Sequence, residues 1–346
     1  MKNLALRADK SSTGHLVLLF FLFFLISCGL GYPTLKRYDP RASGNNPDSA
    51  DYYAIVTGDA QPATFRSYRV LVPLAARPLY RVASGRVGQW DPVFFSLLVI
   101  NSMLTAATAL LLVSIGRRVT GDNGTALLSA TIYLLNFAVA NFQVAGLVDS
   151  SEAFFLLAVA WFLLNDRWRM LPVLAIPGAT GKETFVPLSM VFAGAYLAAW
   201  RTEGSRLARA GWIAVMGATG VATLIAVQSA VTGHFVWPGQ LTIASASLGG
   251  YLTNLAGCFR RHEFWYVFGW LLPLSIWRLR SLPREWVIAS TITALAALAL
   301  GASISAEGNV ARAMFDIAGP MLSLSVAMFI GRTSDVRAVE ALNDQR

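Results

Sequence analysis

Apolar runs separated by short polar segments dominate the chain. The long runs, almost free of charge, cover residues 92–115, 125–148, 212–231, 286–306 and 313–330. Shorter runs cover residues 16–30, 153–165, 170–181, 184–200 and 264–277. Because about 20 apolar residues cross a bilayer as a helix, this pattern predicts an all-α, polytopic integral membrane bundle with about ten crossings. We interpret residues 1–346 as a single domain.

The composition narrows the function classes. Of 346 residues, 55% are apolar and only 14% are charged, whereas a soluble domain carries about a quarter charged residues. A large soluble catalytic domain is therefore excluded, and so is a nucleic-acid-binding domain despite the net charge of +9. Two cysteines and three histidines are too few for a disulfide framework or a His-rich metal centre.

The first apolar run, 16–30, follows basic residues and could be a cleaved signal sequence or a first membrane anchor. Residues 25–28, Leu-Ile-Ser-Cys, also resemble a lipoprotein processing site. Since the rest of the chain is itself polytopic, we expect this segment to remain as an uncleaved anchor.

The basic loops predict an orientation. Short loops rich in Lys and Arg stay in the cytoplasm, and one topology places nearly all of them there, with both termini inside. Residues 31–91 and 232–263 then form external loops, and we expect the active site on that extracytoplasmic side. The stretch 165–210 has basic residues at both ends, so it should contain a short helical pair with residues 181–184 at its tip. The alternative is one long tilted helix.

The loop 31–91 is an exception to the orientation rule, because it carries many cations. These are Lys36, Arg37, Arg41, Arg66, Arg69, Arg77, Arg81 and Arg86. One explanation is binding to anionic lipid headgroups. The other is a site for an anionic substrate, which the acids placed among the cations favour.

Two short helices are predicted in this loop, at residues 49–57 and 68–82. The second is amphipathic and suits a helix lying on the membrane surface, although it could also be a lid over the bundle. Asp48 and Asp51 are three residues apart and so share one helical face. This pair could take the proton of an acceptor hydroxyl, or it could simply cap the first helix.

Further charged residues lie close to the predicted external face. Asp149 and Glu152 open an unusually short apolar run, where an ionisable group is costly and usually functional; Asp149 could also act only as a helix cap. Lys182 can hold a phosphate while the neighbouring Glu183 holds the Lys. Arg312 could bind a phosphate or pair with Glu307.

These segments together resemble the polytopic glycosyltransferases of the GT-C fold, especially bacterial mannosyltransferase-like members that use polyprenyl-phosphate sugars. The resemblance rests on Asp48-Ser49-Ala50-Asp51-Tyr52-Tyr53 with Gly58, Tyr68-Arg69-Val70-Leu71-Val72-Pro73-Leu74, Val148-Asp149, Gly181-Lys182-Glu183-Thr184 and Arg312. The motifs follow in the expected order over most of the chain, and each motif alone is weak.

The resemblance implies a single inverting displacement on a lipid-linked sugar. Asp48, or its close rival Asp51, would be the general base, and Arg69, Lys182 and Arg312 would hold the lipid phosphate. Supporting or acceptor-binding roles would fall to Asp149, Glu152, Glu183, Tyr52, Tyr68 and Glu307. The implied partners are a polyprenyl-phosphate-linked sugar, a glycan, lipid or protein acceptor, and membrane lipids. The resemblance implies no definite cofactor, and a divalent metal stays open, with Asp149 as a ligand in some members.

Two other classes remain as alternatives. A transporter or flippase of a lipid-linked or anionic substrate would also bury charges at broken helices, although the sequence shows no internal repeat and the charges collect at one face. A non-catalytic subunit of an envelope-assembly complex is the third reading, in which the external acids would be dispensable.

Overall fold

The computed structural model is a bundle of α-helices. It describes residues 13–33, 47–59, 65–88, 90–144, 146–200, 205–237, 248–304 and 310–343. The helices are α1 (Thr13–Gly31), α2 (Pro47–Thr57), α3 (Leu71–Ala83), α4 (Pro92–Thr120), α5 (Asn123–Leu134), α6 (Asp149–Leu164), α7 (Leu171–Gly181), α8 (Phe185–Ala199), α9 (Arg206–Thr232), α10 (Leu248–Arg260), α11 (His262–Phe268), α12 (Leu271–Ile276), α13 (Arg284–Ile304) and α14 (Val310–Asn343). No strand occurs in these ranges, so the all-α prediction is confirmed for them.

Within the described ranges, five helices are long and apolar enough to cross a membrane: α1, α4, α9, α13 and α14. Their apolar windows have mean hydropathies of 1.7 to 2.2. The expectation of a membrane protein with several spanning helices is therefore confirmed to this extent. The shorter helices α6, α7 and α8 have 16, 11 and 15 residues.

Two apolar runs that each looked like one span are interrupted in the structure. The run 125–148 ends its first helix at Leu134 and continues as a π-helical turn, Val139–Gln143. The run 264–277 divides between α11 and α12. Asn136 lies at the first break, where its Oδ1 accepts from the Ala138 N–H at 2.9 Å and its Nδ2 donates to the Val267 carbonyl at 3.1 Å. Such side-chain bonds to the backbone compete with helix continuation, which apolarity alone does not reveal.

Helices α6, α7 and α8 run back and forth between two ends of the bundle. At the first, called the site end, α6 begins, α7 meets α8, and α14 begins. At the second, called the arginine end, α6 ends beside α4, and Arg118 Nη1 donates to Asn165 Oδ1 at 2.9 Å. There α8 also ends beside the start of α9, since Arg206 Nη2 donates to the Trp200 carbonyl at 2.8 Å. The helical pair expected within 165–210 is thus present as α7 and α8, with residues 182–184 between them.

The loop 31–91 contains two helices, as predicted, with small shifts. α2 begins at Pro47 rather than Ser49, which places Asp48 inside the first turn instead of at the capping position. The second predicted helix starts as a 3-10 turn, Phe65–Tyr68, and continues as α3. Tyr52, Val56, Val72, Ala76 and Phe94 belong to an apolar cluster that fastens α2 and α3 to the start of α4.

The predicted external loop 232–263 is partly helical instead. α10 covers Leu248–Arg260, and Asn254 Nδ2 donates to the Ala302 carbonyl on α13 at 2.9 Å. The sequence pattern missed this helix because the segment is rich in Gly, Ser and Thr, residues that favour turns.

Candidate functional site

The charged residues selected from the sequence converge at the site end. We call them the charge network: Asp48, Tyr52, Arg66, Arg69, Asp149, Glu152, Lys182, Glu183 and Arg312. They come from α2, the turn before α3, the start of α6, the α7–α8 junction and the start of α14. Five separate segments of the chain therefore meet through ion pairs at one place.

The start of α6 is anchored by a buried polar contact with α4. Asn101 Nδ2 donates to the Leu147 carbonyl at 2.8 Å, and the Ser150 hydroxyl donates to Asn101 Oδ1 at 2.6 Å. These bonds fix the backbone on both sides of Asp149. The signal in the sequence was a single Asn in the long apolar helix α4, since polar residues inside apolar helices commonly bond across helices.

Lys182 is the centre of the network. Its ammonium donates to Asp149 Oδ1 at 2.7 Å and also to Glu152 Oε2. Lys182, Asp149 and Glu152 are 4%, 2% and 0% exposed, so all three charges are buried. Lys182 ends α7 in extended backbone conformation, which turns its side chain toward the first turn of α6. Glu152 also accepts a hydrogen bond from the Thr184 hydroxyl, a partner that the sequence did not suggest.

Arg312 joins the network from α14. Its Nη1 lies 3.3 Å from Asp149 Oδ2, so Asp149 bridges Lys182 and Arg312. Asp149 does not cap α6 with its own side chain, because it is the first residue of the helix and Val148 holds the capping position. The expected partner Glu307 lies outside the described residues.

Arg69 and Glu183 form a second ion pair beside the first. Arg69 Nε donates to Glu183 Oε2 at 2.8 Å, and Nη2 donates to Oε1 at 2.5 Å. Arg69 Nη1 also donates to the Tyr52 hydroxyl at 3.1 Å. Burial raises the pKa of Tyr52 to about 12, against the opposing effect of Arg69. Tyr52 thus keeps its proton at neutral pH, and its hydroxyl can donate a hydrogen bond to a bound anion or hydroxyl.

The two candidate bases lie on the outer side of Arg69. Arg66 Nε is 2.6 Å from Asp48 Oδ1, and Arg66 Nη1 is 3.9 Å from Asp51 Oδ2. Asp48 Oδ2 also lies 4.0 Å from Arg69 Nη1. Asp48 is therefore the acid joined to the buried part of the network, whereas Asp51 contacts only the more exposed Arg66 in these pairs. The sequence indicated Arg66 only as one of several cations in the loop 31–91.

Tyr68, like Asp51, is a described candidate that lies outside the charge network. It is half-buried beside Arg69, at the end of the 3-10 turn, and its hydroxyl makes no hydrogen bond within the described ranges. An acceptor-binding role for Tyr68 stays a prediction.

A buried carboxylate below the network was not selected as a site residue. Asp316 is 1% exposed; its Oδ1 accepts from Gln143 Nε2 at 2.7 Å, and Gln143 Oε1 accepts from the Tyr133 hydroxyl at 2.9 Å. Asp316 Oδ2 has no hydrogen-bond partner among the described residues. Asp316 is the one acid in the otherwise uncharged run 313–330, and this could have marked it as a site residue. No sequence pattern indicated Gln143.

Three of these acids have the chemistry of a site for a hard divalent cation. Asp149, Glu152 and Asp316 each offer an oxygen, and these atoms all lie within 4.8 Å of one another. Carboxylate oxygens suit Mg²⁺, Mn²⁺ or Ca²⁺. The Lys182 ammonium already binds two of the three, however, so the observed arrangement is an ion-pair network and a metal would have to displace Lys182.

No protein-family model matches this chain, and no curated protein matches it significantly.

Proposed function

We propose that this protein is a membrane-embedded glycosyltransferase of the GT-C type, with about ten crossings. It would move a hexose or pentose from a polyprenyl-phosphate donor to an acceptor at the extracytoplasmic face. The observation that carries the proposal is the charge network, in which the surface helices α2 and α3 meet three apolar helices of the bundle through buried ion pairs. An ordinary structural bundle has no need of charges in this position, where burial is costly.

A lipid phosphate would be bound by three cations that ion pairs already hold in position, away from bulk water. Arg69, Lys182 and Arg312 come from three different segments and lie around Asp149 and Glu183. When the bond to the sugar breaks, negative charge gathers on the leaving phosphate. Cations that are fixed in a water-poor site stabilise such charge without having to reorganise.

The transfer step needs a base near the acceptor. Asp48, with Asp51 as the alternative, takes the proton of the acceptor hydroxyl. The acceptor oxygen attacks the anomeric carbon of the sugar at the same time. The carbon–oxygen bond to the phosphate breaks, and the polyprenyl phosphate leaves with that electron pair. Tyr52, which keeps its proton, can donate a hydrogen bond to a phosphate oxygen beside Arg69. Because attack and departure occur on opposite faces, the configuration of the sugar inverts.

A carrier or flippase for a lipid-linked or anionic substrate is the second candidate. It is favoured by the interruption between α5 and α6, and by Asp316 with Gln143 in the bundle interior. Broken helices and buried acids are features of transport pathways. A carrier would move a labelled lipid-linked sugar across the bilayer without forming a new glycosidic bond.

The first experiment is native mass spectrometry of the gently extracted protein, followed by incubation of a labelled polyprenyl-phosphate sugar with an acceptor extract. The proposal expects a co-purified polyprenyl phosphate or its sugar ester, and labelled product after incubation. A Lys182→Ala plus Arg312→Ala variant should lose the lipid, whereas Arg280→Ala plus Arg284→Ala, two exposed sites at the other end, should retain it. Only bulk phospholipid, together with no labelled product, would contradict the proposal, and flux without product would favour the carrier.

A further inference from the structure

A second polar site lies at the arginine end, far from the charge network. A groove of about 570 Å³ opens where α6 ends, the turn before α7 passes, and α9 begins. We call it the arginine groove; the lining residues used below are Asp166, Arg167, Trp168, Arg169, Arg209 and Trp212. The 16 residues of α6 separate it from Asp149, a length of about 24 Å at 1.5 Å per residue.

Arg209 is held rigidly at one wall of the groove. Its guanidinium carbon lies 4.9 Å from the ring centre of Trp200 and 5.7 Å from that of Trp168. Its Nη2 is 3.1 Å from Asp166 Oδ1, while Nη1 makes no hydrogen bond within the described ranges. The cation is thus oriented by two aromatic faces, and its Nη1 is buried.

The turn that carries Asp166 is built under strain. Asp166 has a φ of +55°, and among the described residues it is the single non-glycine with positive φ. A glycine usually occupies this place after a helix. Asp166 Oδ1 accepts from Trp168 Nε1 at 2.6 Å as well as facing Arg209. These bonds hold the strained turn and set Arg167 and Arg169 on either side of the buried Trp168.

Arg167 and Arg169 are exposed, and neither takes part in an ion pair within the described part of the chain. The groove therefore has three arginines against one aspartate, which Arg209 already neutralises. The first turn of α9 adds the partial positive charge of a helix start. This surface is complementary to a negatively charged ligand.

The apolar and aromatic groups of the groove favour a lipid as this ligand. Met170 is 45% exposed, and the partly exposed Trp212 lines the same groove. Trp residues beside cations are typical of the level of the headgroups. The sequence also predicts these basic loops on the cytoplasmic side, where the leaflet carries anionic lipids.

We propose that the arginine groove binds the phosphate headgroup of an anionic membrane lipid, independently of any glycosyl transfer at the site end. Arg167 and Arg169 contact the phosphate, Arg209 adds its charge from the wall of the groove, and Trp212 and Met170 lie against the upper acyl chains. Such a lipid would lie against the end of α6, the turn before α7 and the start of α9.

The test is native mass spectrometry of the full chain in detergent, titrated in parallel with phosphatidylglycerol and phosphatidylcholine. The wild-type protein should retain one phosphatidylglycerol in preference to phosphatidylcholine. In an Arg167→Gln plus Arg169→Gln variant, affinity for that lipid should fall about 25-fold, at roughly fivefold for each cation at a membrane surface. Both arginines are exposed, so the core should not be disturbed.

An Arg280→Gln plus Arg284→Gln variant is the matched control, because it removes the same charge at the same end but outside the groove. It should change lipid affinity less than twofold. An equal loss in both variants would show diffuse attraction and overturn the proposal, as would an unchanged Arg167→Gln plus Arg169→Gln variant. Inorganic phosphate at millimolar concentration should not displace the lipid; displacement would assign the groove to a soluble phosphate compound instead.

Discussion

Arg69 donates two hydrogen bonds to Glu183, of 2.8 and 2.5 Å, although 114 residues separate them in the chain. This pair fastens the turn before α3 to the α7–α8 junction. Lys182, the adjacent residue, turns the other way and binds Asp149 and Glu152 on α6. Two consecutive residues of opposite charge thus join the surface helices to the bundle interior.

Replacing either partner of this pair should destabilise the protein. For Arg69→Lys or Glu183→Gln alone we expect a loss of about 2 kcal/mol, because the charge-assisted bidentate contact is reduced to a weaker one. The double variant should lose less than the two single losses together, with a coupling energy of about 0.5–3 kcal/mol. Unfolding of the purified protein in detergent measures all three. Strictly additive losses would show that the pair does not act as a unit.

Lys182→Met should be more severe than either of these changes. The substitution leaves Asp149 and Glu152 buried together without the cation between them, and breaking a buried ion pair typically costs about 3–5 kcal/mol. Adding Glu152→Gln to Lys182→Met removes one of the two negative charges that repel each other, and it should restore part of the stability. The same unfolding measurement tests both variants. If the Lys182→Met protein were as stable as the wild type, the Lys182 ammonium would not be needed to neutralise Asp149 and Glu152.

Gly181 should tolerate no side chain. A Cβ atom there would lie 2.7 Å from Ser151 Oγ and 3.2 Å from Ser151 Cβ, so α7 packs directly on α6 at this point. We expect Gly181→Ala to destabilise the protein by about 1–3 kcal/mol, the usual cost of overpacking.

Gly194 on α8 is the matched control, because a Cβ atom there meets nothing within 4 Å. Gly194→Ala should be neutral or slightly stabilising, since alanine favours helices over glycine by about 1 kcal/mol. Combining Gly181→Ala with Ser151→Gly removes the obstruction and should recover part of the loss. If Gly181→Ala and Gly194→Ala changed the stability equally, the close packing of α7 on α6 would be contradicted.

The choice between the two candidate bases predicts a difference in activity. If Asp48 takes the acceptor proton, Asp48→Asn should lower transfer by about 10²–10⁴-fold, the usual contribution of a general base, while donor binding stays intact. Asp51→Asn should then have a smaller effect. Transfer of a labelled sugar and lipid retention in native mass spectrometry provide the two readings.

Asp59→Asn serves as the control for these variants, because Asp59 is exposed in the same loop and accepts from the Thr57 hydroxyl at 2.6 Å. It should leave transfer unchanged. Full activity of an Asp48→Asn plus Asp51→Asn double variant would exclude both acids as the base. In that case Asp48 would stabilise the first turn of α2, where an acid interacts favourably with the helix dipole.

Much of the helical architecture was predictable from the sequence, because apolar runs of sufficient length have few alternatives to a helix inside a membrane. α4, α9, α13 and α14 lie where the long runs placed them, and α2 and α3 lie within a few residues of the predicted positions. The interruptions were missed at Leu134 and Phe268, where the hydropathy pattern continues unbroken. A single Asn side chain links these two breaks, and its partners lie too far apart in sequence for a pattern to indicate.

The sequence by itself determined that the chain is helical, apolar enough for a membrane, and supplied with charges at a few places where burial is costly. Only the tertiary structure decided which charges meet. Arg312 faces Asp149, Arg66 faces Asp48, and Gln143 faces Asp316. The physical reason is that composition and periodicity act over one or two helical turns, whereas an ion pair depends on the packing of helices that are remote in sequence. That packing is set by close contacts such as Gly181 on Ser151.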